Sequence, residues 1–505
     1  MVEEAGIPLR TDRLAEVARH VAVPSYDRAS VKTGVVHLGV GSFHRAHQAM
    51  YLDRLLAAGA SSDWGICGVG VLPGDAAMRD VMQRQGGLYT LVLKSADGTW
   101  EPRVIGSIVD YLFAPDDPGA VIERLADRAT RIVTLTVTEG GYNFDQATGE
   151  FDATQPDVVH DLAPGAVPRT TFGLLTAGLA RRRERGVAPF TVLSCDNIQH
   201  NGRVARRVFT AFARLRDPEL ADWMEREVHF PSCMVDRITP ATTDKDRAEV
   251  RSRFGIDDGW PVVCEPFTQW VLEDDFPAGR PDLATVGVQL VADVEPYELM
   301  KLRLLNASHQ ALAYFGHLMG YRLVDEAARD PLIARLMLAY MDREATPTLR
   351  PVPGIDLTTY QHQLIERFSN PSIRDTVARL AFDASERIPK FIVPAVRENL
   401  AAGRDVTLAA AIIASWARYA EGTDEGGAPI DVVDHHRDTL MPLARRGRDD
   451  PLAFLGVREL FGDLADDERF TAPYRQTLDS LYRRGARVTL EELVGPPAIG
   501  RPARP

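Results

Sequence analysis

Residues 33 to 59 read TGVVHLGVGSFHRAHQAMYLDRLLAAG, and no other stretch limits the fold as much. A short β-branched run leads into a glycine pair, and apolar residues then recur at helical spacing, which is the pattern of strand, tight turn and helix. WGICGVGV (64 to 71), RIVTLTVTEGGY (131 to 142) and PFTVLSCDN (189 to 197) read as further buried strands. Strands that alternate with helical patterns predict an α/β fold, here a Rossmann-like, mostly parallel sheet covered on both faces. From about Pro296 the pattern turns to long helical periodicity, over 297–319, 330–342, 371–383, 390–402, 407–421, 451–461 and 471–484. The predicted organisation is a dinucleotide-binding domain over 1–293 and a mainly α-helical substrate and catalytic domain over 294–505. The first has its core at about 30–200 and an extension over 201–293, in which the stretch containing HFPSCMVDRITP and WPVVCEPFTQWVLEDDF reads as strands and loops.

A chain of 505 residues is long enough for two cores. Its 58 basic residues against 71 acidic ones give a formal charge of -13, which argues against nucleic acid or an anionic membrane surface as partner. Four well-separated cysteines with no CxxC pair read as reduced core thiols. The N-terminus lacks a basic start followed by an apolar run, so a cytoplasmic protein without a signal peptide is expected. LAAAIIASWA at 408 to 417 is too short for a membrane span and predicts a buried helix. The C-terminal GPPAIGRPARP is expected to fray.

Gly39 and Gly41 stand where a dinucleotide fingerprint has meaning, after a strand and before a helix. The first glycine allows the turn and the second lets the backbone approach pyrophosphate. The helix start, Ser42, Phe43, His44 and Arg45, offers backbone N–H groups to an anion. His44 occupies the third-glycine position, so the motif alone fits a plain βα turn equally well. Asp75, after the second strand, is the candidate for the ribose hydroxyls, and its charge would favour NAD over NADP. It could equally cap the helix AAMRDVMQR. His44 and His47 lack the further ligands that a tight zinc site needs, so no metal is expected.

KLRLLNASH (301 to 309) places three polar residues in an apolar segment. At 100° per residue, with Lys301 at zero, Glu298, His309 and Asn306 fall at roughly 60°, 80° and 140°, on one arc of a helix otherwise enclosed by leucine. One reading is a solvated stripe with a Glu298–Lys301 pair. The other is an active-site face, with Lys301 as general base, Asn306 donating to an oxygen that gains negative charge, and His309 orienting a hydroxyl. Tyr297 and Lys301 also match YxxxK, the tyrosine-base motif of short-chain dehydrogenases. The chain length and the long separation from Gly39 make that match accidental.

HLGVGSFHRAHQAMYLD, TLTVTEGGY, SCDNIQHNG, MVDRITP, VCEPFTQWVLEDDF, KLRLLNASH, PVPGIDLTTY and RFSNPSIRDTVAR, in this order, resemble the polyol-specific long-chain dehydrogenases of the mannitol dehydrogenase family. The resemblance runs from about residue 30 to beyond 480. It implies NAD-dependent oxidation of a sugar alcohol without a metal, as in D-mannitol plus NAD giving D-fructose plus NADH, by a monomeric enzyme. It further implies that Lys301 is the general base and that Asn197 and Asn306 hold the reacting oxygen. His309 would orient substrate, Glu298 would relay the proton, and Asp236 and Arg379 would contact the polyol. Glu139 would lie in a strand-end loop near the nicotinamide. Asp375 lies four residues before Arg379, so the arginine could instead be half of a surface pair. D-arabinitol, D-sorbitol and fructuronate are alternative substrates, and Arg387 and Lys390 could hold a uronate carboxylate. An NAD-binding sensor is the non-enzymatic alternative.

Overall fold

The computed structural model describes residues 6–59, 62–144 and 150–495, apart from the side chain of Glu139. The chain divides into two compact units, Met1–Glu295 and Pro296–Pro505.

The first unit is built on β1 (Thr33–Leu38), β2 (Gly65–Gly70), β3 (Ile108–Phe113), β4 (Ile132–Leu135) and β5 (Thr191–Ser194), in the order β3-β2-β1-β4-β5 with every pair parallel. All residues of β1, β2, β4 and β5 are buried, which is why they read as continuous apolar runs. β3 escaped the sequence reading because it is an edge strand with half-exposed residues, among them Asp110, which pairs with Arg124. The order reverses between β1 and β4, and in open α/β sheets that reversal opens a crevice at the carboxyl ends of the strands. Helix α1 (Ser42–Ala46) leaves β1 directly, α2 (Gln48–Ala57) continues it after a break at His47, and α3 (Ala76–Gln85) follows β2.

In the extension, β6 (Cys233–Asp236) pairs antiparallel with β7 (Gln269–Glu273), and β8 (Gln289–Val291) lies parallel on the other side of β7. Leu193, Cys195, Cys233, Val235 and Trp270 share one core, so the extension packs onto the central sheet. All four cysteines are buried free thiols. The extension also holds the helices Asn201–Arg216 and Pro218–Glu227, and a third, Asp244–Phe254, that gave no sequence signal because Val250 is its single buried residue and the rest of DKDRAEVRSRF carries no apolar period.

The second unit is helical. Its path begins with α4 (Glu295–Met300), a π-helical turn over Lys301–Asn306, and α5 (Ala307–Leu318). Further along are α6 (Leu357–Phe368), α7 (Val377–Ala381), α8 (Ala384–Phe391), α9 (Thr407–Tyr419) and α10 (Glu468–Val494). Every residue of α9 from Leu408 on is buried, and Trp416 packs against Phe454 and Phe461. No helix among the described residues is long and apolar enough to cross a membrane. The helix predicted over 371–383 shrinks to α7, because Arg374 takes a positive φ of 53° that a helix cannot carry. All but the first residue of the C-terminal GPPAIGRPARP falls outside the described residues.

Candidate active site

The turn after β1 holds two glycines, and only the first is demanded by the fold itself. Gly39 has φ +94°, and a Cβ there would stand 2.3 Å from the Thr136 carbonyl oxygen beyond β4. Both the left-handed backbone and the close approach of two strand ends exclude a side chain. Gly41 has φ −91°, and a Cβ there would meet nothing within 4 Å, so the glycine leaves open space beside the backbone. That is the space a pyrophosphate uses when it approaches a helix start.

At the third-glycine position the structure corrects the sequence reading. The His44 ring is fully buried and stacks on the ring of His37 from β1, with centroids 3.3 Å apart and planes 9° from parallel. Where glycine would allow helix and strand to touch, two flat rings fill the gap. His37 Nε2 lies 3.0 Å from the Gly39 carbonyl, which can only accept, so Nε2 carries the proton and Nδ1 accepts from Thr134 Oγ1 at 2.7 Å. Burial lowers His37 to about 3 and holds His44 well below the usual histidine range, so both rings are neutral. Arg45 also turns inward, donating to the Trp260 carbonyl beneath the Tyr89 ring. The side chains of His44 and Arg45 therefore build the turn, and only their backbone can meet a cofactor. Ser42 and Phe43 stay half-exposed.

Asp75 stands at the start of α3 but does not cap it. Its Oδ2 instead accepts the N–H groups of Val71 and Leu72, each at 3.0 Å, which fixes the carboxylate to the segment leaving β2. Only one of its two oxygens is used in these bonds. An acid held in this way, with an open glycine turn on the adjacent strand, fits a dinucleotide whose ribose carries free hydroxyls.

At the ends of β4 and β5, Asn197 is exposed and follows the buried Asp196. Glu139 opens a short 3-10 turn, Glu139–Tyr142, and its side chain is outside the described residues. Asp236 ends β6 and is buried at 4% exposure. The neighbouring Arg237 donates to the carbonyls of Glu265 and Ala46.

In the second unit the structure departs from the helical wheel. Lys301–Asn306 is a π-helical turn, in which each N–H reaches back to i−5 instead of i−4. The wider turn draws residues five apart toward one face, so Lys301 and Asn306 align better than the ~140° expected from a 3.6-residue repeat. Glu298, Lys301 and Asn306 are 5%, 8% and 7% exposed, which removes the solvated-stripe reading. The Asn306 Oδ1 is buried and has no hydrogen-bond partner in the structure, as in a site that expects a donor from a ligand. On other sides the turn is anchored, since Arg303 donates to Glu398 and to the Thr348 carbonyl, and the Tyr297 hydroxyl donates to the Pro353 carbonyl at 2.8 Å. Burial pushes the Tyr297 phenol up, opposite to what a tyrosine base needs, and its hydroxyl is already committed to the Pro353 carbonyl.

His309 rests on Phe368 of α6, with centroids 4.4 Å apart. Burial, then the charges of Arg379, Arg387, Arg367 and Lys301, hold its imidazole well below the usual range, so it is neutral at neutral pH. Arg379, itself exposed, pairs with the buried side chain of Asp375, so the pair is not a plain surface one. Arg387 donates to the carbonyls of Arg379 and Leu380 at the end of α7, and the exposed Lys390 pairs with Glu386 at 2.9 Å. Among the described residues, no group of three or more His, Cys, Asp or Glu is placed to hold a metal.

A parallel sheet with reversed order, an open glycine turn, an anchored acid after the second strand and a buried lysine in a second, helical unit define a two-domain, dinucleotide-binding class of protein. Family models agree on both units: residues 33–285 match the mannitol dehydrogenase Rossmann domain and residues 293–482 the mannitol dehydrogenase C-terminal domain. Mannitol 2-dehydrogenases of Neosartorya fischeri and Aspergillus fumigatus are each 45% identical over 501 residues, covering 97% of this chain and 100% of the relative. The Pseudomonas fluorescens mannitol 2-dehydrogenase, solved as a ternary complex with NAD and D-mannitol, superposes with a TM-score of 0.89 at 46% identity, covering 96% of this chain and 99% of that one. A substrate-free D-sorbitol dehydrogenase gives 0.88 at 37% identity, covering 96% and 100%. The chain belongs to the mannitol dehydrogenase family.

Several structural residues escaped the sequence reading, namely His37, Thr136, Asp196 and Tyr142. Asp196 was legible as an acid at a strand end with no basic neighbour in sequence. The others gave no local signal, because their partners lie on other strands.

Proposed function

We propose that this protein is a polyol dehydrogenase that interconverts D-mannitol and D-fructose with NAD. The observation that carries the reading is the buried π turn that aligns Lys301 with Asn306, in a chain 46% identical to a mannitol 2-dehydrogenase solved with NAD and D-mannitol. Bound NAD would supply the hydride acceptor. Gly39, Gly41 and the backbone of Ser42–Arg45 would hold its pyrophosphate, and Asp75 its ribose.

Lys301, in its neutral form, takes the proton from the C2 hydroxyl as the carbonyl develops. Asn306 and Asn197 donate to the oxygen while it carries partial negative charge, and one such donor is typically worth ~10²–10³ in rate. Glu298, one helical turn before Lys301, passes the proton on to water. Neutral His309 and buried Asp236 hold substrate hydroxyls, with Arg379 as a further contact, and this placement selects the carbon that reacts. In the reverse direction protonated Lys301 is the acid. The proton step belongs to an amine, so the reading needs no metal.

A uronate substrate is less well supported, because both cations nominated for its carboxylate are engaged, Lys390 with Glu386 and Arg387 with two carbonyls. D-Sorbitol and D-arabinitol remain competitors for the same residues. The four buried free thiols suit a reducing compartment such as the cytoplasm.

The test is NAD reduction followed by absorbance across D-mannitol, D-sorbitol and D-arabinitol, and NADH oxidation with D-fructose and fructuronate, each with and without chelator. Mannitol and fructose should give the highest kcat/KM, unchanged by chelator. Preference for another pair, or NADH binding with no turnover of any polyol, overturns the reading.

A further inference from the structure

Around Asp196, groups from four segments of the first unit converge. Its Oδ1 accepts the Thr138 N–H at 2.8 Å, and its Oδ2 accepts the Val137 N–H at 3.1 Å and the Tyr142 hydroxyl at 2.7 Å. Ser194 Oγ sits 2.5 Å from the Tyr142 oxygen and accepts the Asp196 N–H at 3.4 Å. With Tyr142 donating to the carboxylate and Ser194 donating to Tyr142, the bonds close a ring. Tyr142 and Ser194 are fully buried, and burial followed by the charge of Asp196 pushes the phenol up, so it keeps its proton. On the far side, Asn201 Nδ2 donates to the Asp196 carbonyl at 3.2 Å and to the Cys233 carbonyl at 2.8 Å, while its Oδ1 accepts the Cys233 N–H at 3.0 Å.

One residue bonded to this carboxylate is strained. Thr138 has φ 64° and ψ 167°, a region that is essentially reserved for glycine. Such a conformation persists only when its surroundings impose it, and here both of the backbone N–H groups at Val137 and Thr138 are taken by one carboxylate. The strained residue directly precedes Glu139, the carboxylate directly precedes Asn197, and the strand that Asn201 ties in ends at Asp236. A plain loop closure would not need a buried charge or a strained threonine, since both cost free energy.

We infer that Asp196, acting with Tyr142, is a positioning residue that holds the Glu139 turn, Asn197 and the Asp236 strand in fixed register at the carboxyl edge of the sheet. The roles of those three residues rest on the proposed function, whereas the clamp itself does not.

The experiment compares Asp196→Asn, Thr138→Gly and the double variant with the wild-type protein. An asparagine cannot accept on both arms, so hydrogen exchange at the Val137 and Thr138 amides should become faster without NAD or substrate present. The kcat for mannitol should fall by about 10²-fold, as for a misplacement of about 1 Å, with the NADH Kd changed no more than about threefold. Glycine adopts the φ of Thr138 without strain, so in the Asp196→Asn background Thr138→Gly should recover about tenfold in kcat. Additive losses in the double variant, or unchanged exchange at the two amides, overturn the clamp. If Asp196→Asn does not fold, Tyr142→Phe replaces it, with a fall of about three- to tenfold in kcat and the same test of Thr138→Gly rescue. Should the wild-type protein oxidise no polyol, the functional reading fails while amide exchange still decides on the clamp.

Discussion

The glycine turn after β1 and the lysine turn of the second unit do comparable work by opposite means. At the first, side chains are excluded: Gly39 is required by the Thr136 carbonyl 2.3 Å from where a Cβ would stand, and the chemistry offered is backbone N–H. At the second, the proposed chemistry rests on side chains, and the backbone beneath them changes its ladder, since a π turn replaces an α turn over Lys301–Asn306. A cofactor with an anionic group that recurs in many proteins can be held by main chain alone. A reacting hydroxyl needs a titratable group and a donor at defined places, and in the proposed reaction a local fault in a helix would supply them.

The sharpest way to break the comparison is Lys301→Ala. Turnover at neutral pH should fall by about 10²–10⁴-fold while NADH binding, measured by fluorescence, stays within about twofold. Normal turnover in that variant, or an equal loss in Tyr297→Phe, would remove the lysine from its role. Asn306→Ala should lower kcat by about 10²-fold with a smaller change in KM, as for loss of one donor to a developing oxyanion. An effect on KM alone would make it a binding residue. On the other side, Gly39→Ala should act through the backbone, weakening NADH by about tenfold and lowering stability by more than about 1 kcal/mol in thermal unfolding. Retained affinity would show that the turn can move away from Thr136.

The histidines beneath and beside these turns give a pH test. His37, His44 and His309 are neutral when folded, mainly through burial, while the unfolded chain protonates them near 6.5. The unfolded state therefore binds more protons below 6.5, and the stability these groups contribute is lost as pH falls, for His37 down to about 3. Each should contribute a slope of up to about 1.4 kcal/mol per pH unit in that window, so chemical denaturation of His37→Gln should show a shallower acid decline than the wild-type protein. An identical slope would place the acid sensitivity elsewhere. The smallest expected effect is in cofactor choice, where Asp75→Ala should raise the NADP to NAD ratio of kcat/KM by about tenfold. No change would remove Asp75 from the ribose site.

The two regions also differ in how far the sequence exposed them. Glycine at a strand-to-helix junction is a local necessity, so the turn, the buried parallel strands around it and the helical second half could be read from pattern. The arc of Glu298, Lys301, Asn306 and His309 could be read as well, but from the wrong geometry: a 3.6-residue wheel assumed a regular ladder, and an inserted π turn leaves no mark in composition. Reading His44 as a failed glycine missed its stacking on His37, because the two rings meet only once the helix folds back on its strand. Arg387 and Lys390 looked available in sequence and proved engaged, since a cation's partner four residues away or at a helix end depends on the rotamer it finds.

What the sequence determined by itself was periodicity and local backbone freedom: which segments are buried on two faces, where the chain turns tightly, and where polar residues interrupt an apolar face. The tertiary structure alone decided how those polar residues are anchored. It set Asp75 on the N–H groups of Val71 and Leu72, joined Asp196 to Tyr142 across two strand ends, and widened one helical turn so that Lys301 and Asn306 align. Those outcomes depend on hydrogen-bond partners that are distant in sequence or on a changed helical ladder, and a pattern read along the chain contains neither.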